Sequence, residues 1–145
     1  MRVLVQRVLS SSVEVDNKIV GKIDKGVMLL VGFTHTDTSK EIDYMVDKVI
    51  NLRIFDDENG VMNKSLLDVG GSILSISQFT LYADSSKGRR PSYINALGGD
   101  KSSPLYDEFN QKQKETGIHT ETGIFGAEMK VSLVNDGPIT IMLEK

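Results

Sequence analysis

Hydrophobic positions set out the elements of this chain before any motif does. Near the N-terminus Val3 and Val5 point to one side and Leu4 and Val8 to the other, the alternation of a strand. Ser12–Val15 and Ile19–Ile23 flank Asp16-Asn17-Lys18, which predicts a hairpin turn. Val27–Phe33 is nearly all apolar between turn signals, as in a strand buried on both faces. Thr38 then opens a helix. Thr38 and Glu41 have capping-box spacing, and Ile42, Met45, Val46, Val49 and Ile50 make one apolar stripe. Leu52–Phe55 reads as a strand running into the turn residues 56–60, and Ile73–Tyr82 alternates as a strand with polar residues near its end. Ala83–Ser102 is irregular. Ser103-Pro104 has the form of a helix start, with Gly117 as its stop. Glu128–Val134 and Ile139–Leu143 read as two strands around Asn135-Asp136-Gly137-Pro138. The order predicts one α+β domain over residues 1–145 with a largely antiparallel sheet.

Composition narrows the function classes. A chain of 145 residues has room for one ordinary core, and 39% hydrophobic with 26% charged residues fits a soluble globular domain. No apolar run reaches the length of a membrane-spanning helix, so no membrane partner is expected. The N-terminal apolar run is broken by Gln6 and Arg7 and makes a poor signal peptide. With no cysteine there is no disulfide, thiolate metal site or thiol nucleophile, which suits a reducing compartment. A net charge of −3 argues against a non-specific DNA coater, so any nucleic-acid contact must use a local patch.

Few residues carry obvious chemistry. His35 and His119 are the only histidines, and neither has metal-ligand spacing; both read as surface residues, and no metal is expected. The Gly-Gly pairs match no phosphate-binding loop. Lys87, Arg89 and Arg90 form the only dense basic cluster. They lie in the long loop, either as a solvated face or as a phosphate contact. Ser77-Gln78-Phe79-Thr80 sets hydroxyls, an amide and a ring at a strand end, a mixture that apolar packing does not select. Gly137-Pro138 reads as a turn, and the rarity of cis X–Pro bonds favours trans.

Together, MRVLVQRV, NLRIFDDENGVMNKSLLDVGG, SQFTLYAD, KGRRPS, TGIFGAEM and VSLVNDGPIT resemble the D-aminoacyl-tRNA deacylase family, also called D-tyrosyl-tRNA deacylases. The resemblance spans essentially the whole chain and departs from the family mainly in Asn95–Ser102. It implies a barrel-like core with two main helices, and a cytoplasmic homodimer with active sites at the subunit interface. No cofactor is implied. The partner is the acceptor end of aminoacyl-tRNA, and DNA is not one. Ser77, Gln78, Phe79 and Thr80 would line the pocket. Gly137-Pro138 would be cis, against the bare statistical expectation, and would reach into the partner's pocket to reject L-amino acids.

An aminoacyl ester is labile, so backbone N–H groups near Phe79 and Thr80 could stabilise the oxyanion while the ribose 2′-OH assists water. Thr80 is the tempting nucleophile, yet no base stands at a fixed spacing from it; the other role open to it is positioning. A filter that works by clash with an L side chain cannot reject glycine, so mischarged glycine is an implied substrate. Two further readings stay open at this point. One is a non-catalytic RNA- or amino-acid-binding module on the same fold. The other is an editing domain against an L-amino acid.

Overall fold

The computed structural model describes residues 1–145. In chain order the elements are β1 (Arg2–Val15), β2 (Lys18–Ile23), β3 (Gly26–Gly32), α1 (Ser39–Asn51), β4 (Phe55–Asp56), β5 (Met62–Lys64), α2 (Leu66–Val69), β6 (Ser72–Ser77), a 3-10 turn (Phe79–Tyr82), α3 (Gly99–Glu115), β7 (Thr120–Thr122) and β8 (Lys130–Glu144).

β1 organises the sheet. Asp16 and Asn17 both take positive φ, the conformation a two-residue hairpin turn needs, and fold β2 back onto the second half of β1. β3 pairs with the first half, and β8 runs antiparallel along the opposite edge of β1. Beyond β3 the pairing changes: β6 lies parallel to β3, and β7 parallel to β6. The chain between β3 and β6, which includes α1, supplies the long connection that parallel pairing requires. The sheet is therefore antiparallel around β1 and parallel at its far side. It curls until β2 meets β7, where a Cβ on Gly21 would stand 2.9 Å from the Thr122 carbonyl oxygen. The result is an α+β domain with a mixed sheet nearly closed into a barrel.

α1 begins as expected, with Thr38 as N-cap and a complete Thr38–Glu41 capping box. Its buried residues Ile42, Met45, Val46, Val49 and Ile50 pack with Val3, Val5, Leu29, Val31 and Phe109 in the main core. A smaller core of Val8, Val13, Ile23, Met28, Leu74 and Ile76 fills the other side of the sheet. β3 is buried along almost its whole length, as its apolar run predicts.

Several boundaries differ from the sequence expectation. Leu52–Phe55 is not a strand; only Phe55–Asp56 pairs, with β5. The strand expected over Ile73–Tyr82 stops at Ser77, because Leu81 N–H and Ala83 N–H bond back to the carbonyls of Gln78 and Thr80 and close a helical turn. α3 starts at Gly99 instead of after Ser103, so Pro104 lies inside its second turn. Besides the two main helices there is a third, α2, a single turn capped by Ser65 and Asp68. The most consequential difference concerns β8. Both expected C-terminal strands belong to one strand paired with β1, and Asn135–Ile139 is an excursion from it between the Val8–Asn135 and Gln6–Thr140 pairs. The Gly137–Pro138 peptide is cis, as the family resemblance implies and against the statistical expectation of trans.

Candidate active site

β3 and β6 end side by side, with Val31 opposite Ser77 and Gln78 N–H donating to the Val31 carbonyl at 2.7 Å. A cavity of about 650 Å³ opens at these strand ends. It is lined by Gly32, Phe33, Ile76, Ser77, Gln78 and Phe79 at these strand ends. The N-cap Gly98 and the start of α3 (Gly99, Ser102), with Phe125, Gly126, Ala127 and Met129, complete the walls. Two backbone bonds hold these walls in place: Leu97 N–H to the Phe33 carbonyl at 2.9 Å, and Gly123 N–H to the Ser75 carbonyl at 3.0 Å. The Ser75 carbonyl also accepts from the buried Tyr106 hydroxyl at 2.7 Å, and the Tyr106 ring packs on Phe125. Burial pushes the Tyr106 hydroxyl above the usual tyrosine range, so it remains a donor.

The lining contains no Asp, Glu, His, Lys or Arg. What it offers is serine hydroxyls, the Gln78 amide and backbone groups. Phe79 and Thr80 begin the 3-10 turn, so their N–H groups have no carbonyl partner within it. The Thr80 side chain does not face the cavity. Its hydroxyl accepts a hydrogen bond from the Gln78 side-chain amide. Of the four motif residues, then, Ser77, Gln78 and Phe79 line the space and Thr80 stands behind Gln78.

The remaining expected residues are elsewhere. Lys87, Arg89 and Arg90 are exposed on a loop pinched by paired Asp84–Ser92 backbone bonds of 2.8 Å, and they do not line the cavity. His35 and His119 are both exposed. Gly137 and Pro138 are exposed at the tip of the β8 excursion and do not line their own chain's cavity.

That tip is held from below by residues the sequence reading passed over. The nearly buried Arg7 donates from Nε to the Asp136 carbonyl at 3.2 Å and from Nη1 to the Ile54 carbonyl at 2.7 Å. Its guanidinium also lies 3.2 Å from the Asp136 carboxylate and 3.6 Å from that of Asp56. Asn135 bridges the base of the excursion. Its Oδ1 accepts from Ile139 N–H at 2.8 Å, and its Nδ2 donates to the Ile139 carbonyl at 3.3 Å. Gly137 has φ of +124°, and a Cβ there would stand 2.8 Å from Ile139 Cγ1, so the tip requires glycine. A sequence signal for Arg7 did exist: it continues the phase of Val3 and Val5, both buried, and a charge on a buried face must find partners.

Residues 4–144 match the family model described as D-Tyr-tRNA(Tyr) deacylase. The chain is 56% identical over 144 residues to a D-aminoacyl-tRNA deacylase of Brevibacillus brevis, with 99% of each chain covered. It is 58% identical to one from Listeria monocytogenes serotype 4a, covering 99% of this chain and 95% of that one. Among solved structures, a protein titled c-Myc DNA Unwinding Element Binding Protein superposes with TM-score 0.94 at 38% identity, over 100% of this chain and 99% of the other. A probable eukaryotic D-amino acid tRNA deacylase shares the fold at TM-score 0.85 and 21% identity, covering 98% of this chain and 97% of that one. The chain belongs to the D-Tyr-tRNA(Tyr) deacylase family. It is an enzyme of that hydrolase class.

Proposed function

We propose that the protein hydrolyses the ester joining a D-amino acid, or mischarged glycine, to the terminal ribose of tRNA in the cytoplasm. The site is built from two copies of the chain: the cavity of one and the Gly137-Pro138 tip of the other. The observation that carries this reading is that the chain has both a cavity without ionisable acid–base groups and an exposed Gly137-Pro138 tip, braced by Arg7 and Asn135, that does not line its own chain's cavity.

The chemistry follows from what the lining offers. The free N–H groups of Phe79 and Thr80 stabilise the charge that develops on the ester carbonyl oxygen. Water attacks, and the adjacent ribose 2′-OH assists its proton transfer, which replaces the missing side-chain base. Ser77 and Gln78 orient the aminoacyl group, and Thr80 orients Gln78. No protein acyl intermediate is required. At the tip, backbone carbonyls receive the α-amino group and fix Cα. A D side chain then points outward, while an L side chain runs into the inserted backbone. Glycine has nothing to clash.

Assembly has independent support. β8 pairs only with β1, which leaves a long free strand edge, and Val134 and Met142 on β8 are about half exposed. Proteins rarely leave such an edge uncovered. The test is turnover of D-Tyr-tRNA against L-Tyr-tRNA by metal-free protein. Release of D-Tyr with the L-ester spared is expected. Equal rates, or dependence on added zinc, would overturn the reading.

A further inference from the structure

We propose that Phe79 and Tyr93 form a stacking platform for the nucleotide that precedes the esterified one. The enzyme would then grip the single-stranded end of its RNA substrate and not only the last nucleoside. This rests on the deacylase reading and adds how the rest of the substrate is held.

Phe79 and Tyr93 stand at the rim of the cavity, 55% and 43% exposed, with ring centroids 5.1 Å apart at an edge-on angle of 65°. Two large rings left half in water at a cavity mouth are unfavourable unless something covers them. Tyr93 is also held in place from both sides. The Asp84–Ser92 backbone pair closes the loop just before it. After it, the Ile94 carbonyl lies 2.8 Å from His35 Nε2, and the Asn95 carbonyl accepts from the Thr34 hydroxyl at 2.7 Å. The backbone that carries the Tyr93 ring is thus fixed on both sides.

The nature of the cover is indicated by charge. The pinched loop just before Tyr93 carries Lys87, Arg89 and Arg90, all exposed and none in an ion pair within the chain. The cavity carries Phe79 and Tyr93 in its lining, and the uncommitted cations lie on the loop that leads directly into Tyr93. Along an RNA end the aminoacyl ester, the preceding base and the phosphates follow one another. Unpaired RNA ends are recognised by stacking on aromatic side chains beside a basic path. A second copy of this chain could also cover two rings, but such a contact would not need three free cations beside them.

The experiment compares kcat/KM for D-Tyr esterified to full-length tRNA with kcat/KM for D-Tyr esterified to adenosine alone. Tyr93→Ala should lower the ratio of the two by about tenfold, within the range of a lost base stack, and the loss should lie in KM. Tyr93→Phe keeps the ring and should restore the ratio to within about twofold of wild type. The chain has no tryptophan, so Tyr93→Trp supplies a single indole reporter. Its fluorescence should be quenched by an uncharged CCA trinucleotide and not by adenosine. An unchanged ratio in Tyr93→Ala, or no selective quenching in Tyr93→Trp, would overturn the platform. Conversion of Tyr93→Ala to a monomer would also overturn it, since the rings would then be a subunit contact. The quenching reads binding without turnover, so it decides the platform even if neither ester is hydrolysed and the deacylase reading fails.

Discussion

Arg7 Nε stands 3.2 Å from the Asp136 carbonyl and 3.2 Å from its carboxylate, and these contacts tie a side chain of the first strand to the tip of the last. With Ile54 and Asp56 on the other arm of the guanidinium, the nearly buried fork fixes the residue just before Gly137. A planar, multidentate cation suits that place, and a lysine point charge could satisfy only part of it.

Arg7→Lys should therefore fold, with a loss of about 2 kcal/mol from broken charge-assisted bonds. That corresponds to a melting temperature roughly 5–10 °C lower. Activity should fall more than stability explains: about tenfold or more in kcat at 25 °C, where the variant is still folded. Melting curves and single-turnover rates check this. Wild-type kcat with a lowered melting temperature would make Arg7 purely structural.

The Thr80 side chain lies behind Gln78 and does not line the cavity, which argues against a nucleophile. Thr80→Ala should keep activity within about tenfold of wild type, whereas loss of a true nucleophile removes several orders of magnitude. The same D-amino acid on a terminal 2′-deoxyadenosine should be hydrolysed far more slowly, with binding little changed. Collapse of the rate in Thr80→Ala, together with a normal rate on the deoxy substrate, would assign catalysis to the side chain.

Much of the scaffold was legible because periodicity reports directly on burial. The stripe Ile42–Ile50 and the apolar run of β3 are both core. The errors have a common cause. The end of β6 and the excursion in β8 are decided by hydrogen bonds to residues far along the chain, or by local turns that alternation cannot detect. Val31 and β1 are the partners in question. Among the residues that line the cavity, Ser77, Gln78 and Phe79 stand out in the sequence by their mixed polarity, while their place in a pocket is what the family resemblance implies. Phe125 and Met129 look like ordinary apolar residues in the sequence, and only the fold brings them to the cavity.

Acid sensitivity should reach the helix caps. Hydrogen bonds from the Thr38 hydroxyl and backbone hold the Glu41 carboxyl below its usual value of 4.5. A carboxylate whose folded pKa is depressed contributes stability above the unfolded pKa and loses it as pH falls through the folded pKa. The melting-temperature gap between wild type and Glu41→Ala should thus be full at neutral pH and shrink below about pH 4.5. A gap independent of pH would show that the charge contributes nothing.

Arg89 and Arg90 carry exposed, unpaired charge on the pinched loop. Replacing both with alanine should weaken tRNA binding and make the dependence of log Kd on log salt shallower by about 1.4, near 0.7 per phosphate contact on single-stranded RNA. The rate at saturating substrate should change much less. Unaltered affinity with an unaltered salt slope would remove the loop from the RNA interface.

The composite site is tested most directly by mixing two defective chains. Gly137→Val forces a β-branched residue into a φ of +124° and spoils the tip. Ala127→Trp fills the cavity and leaves the tip intact. Each variant alone should be inactive on D-Tyr-tRNA. Co-expressed with separate tags and purified through both, the mixed dimer holds one spoiled cavity facing a spoiled tip and one sound cavity facing a sound tip. About half of wild-type activity per dimer should return, as two-fold symmetry dictates. If the doubly purified dimer stays inactive, or if Gly137→Val alone is active and still spares L-Tyr-tRNA, the cavity is not completed by the partner's tip.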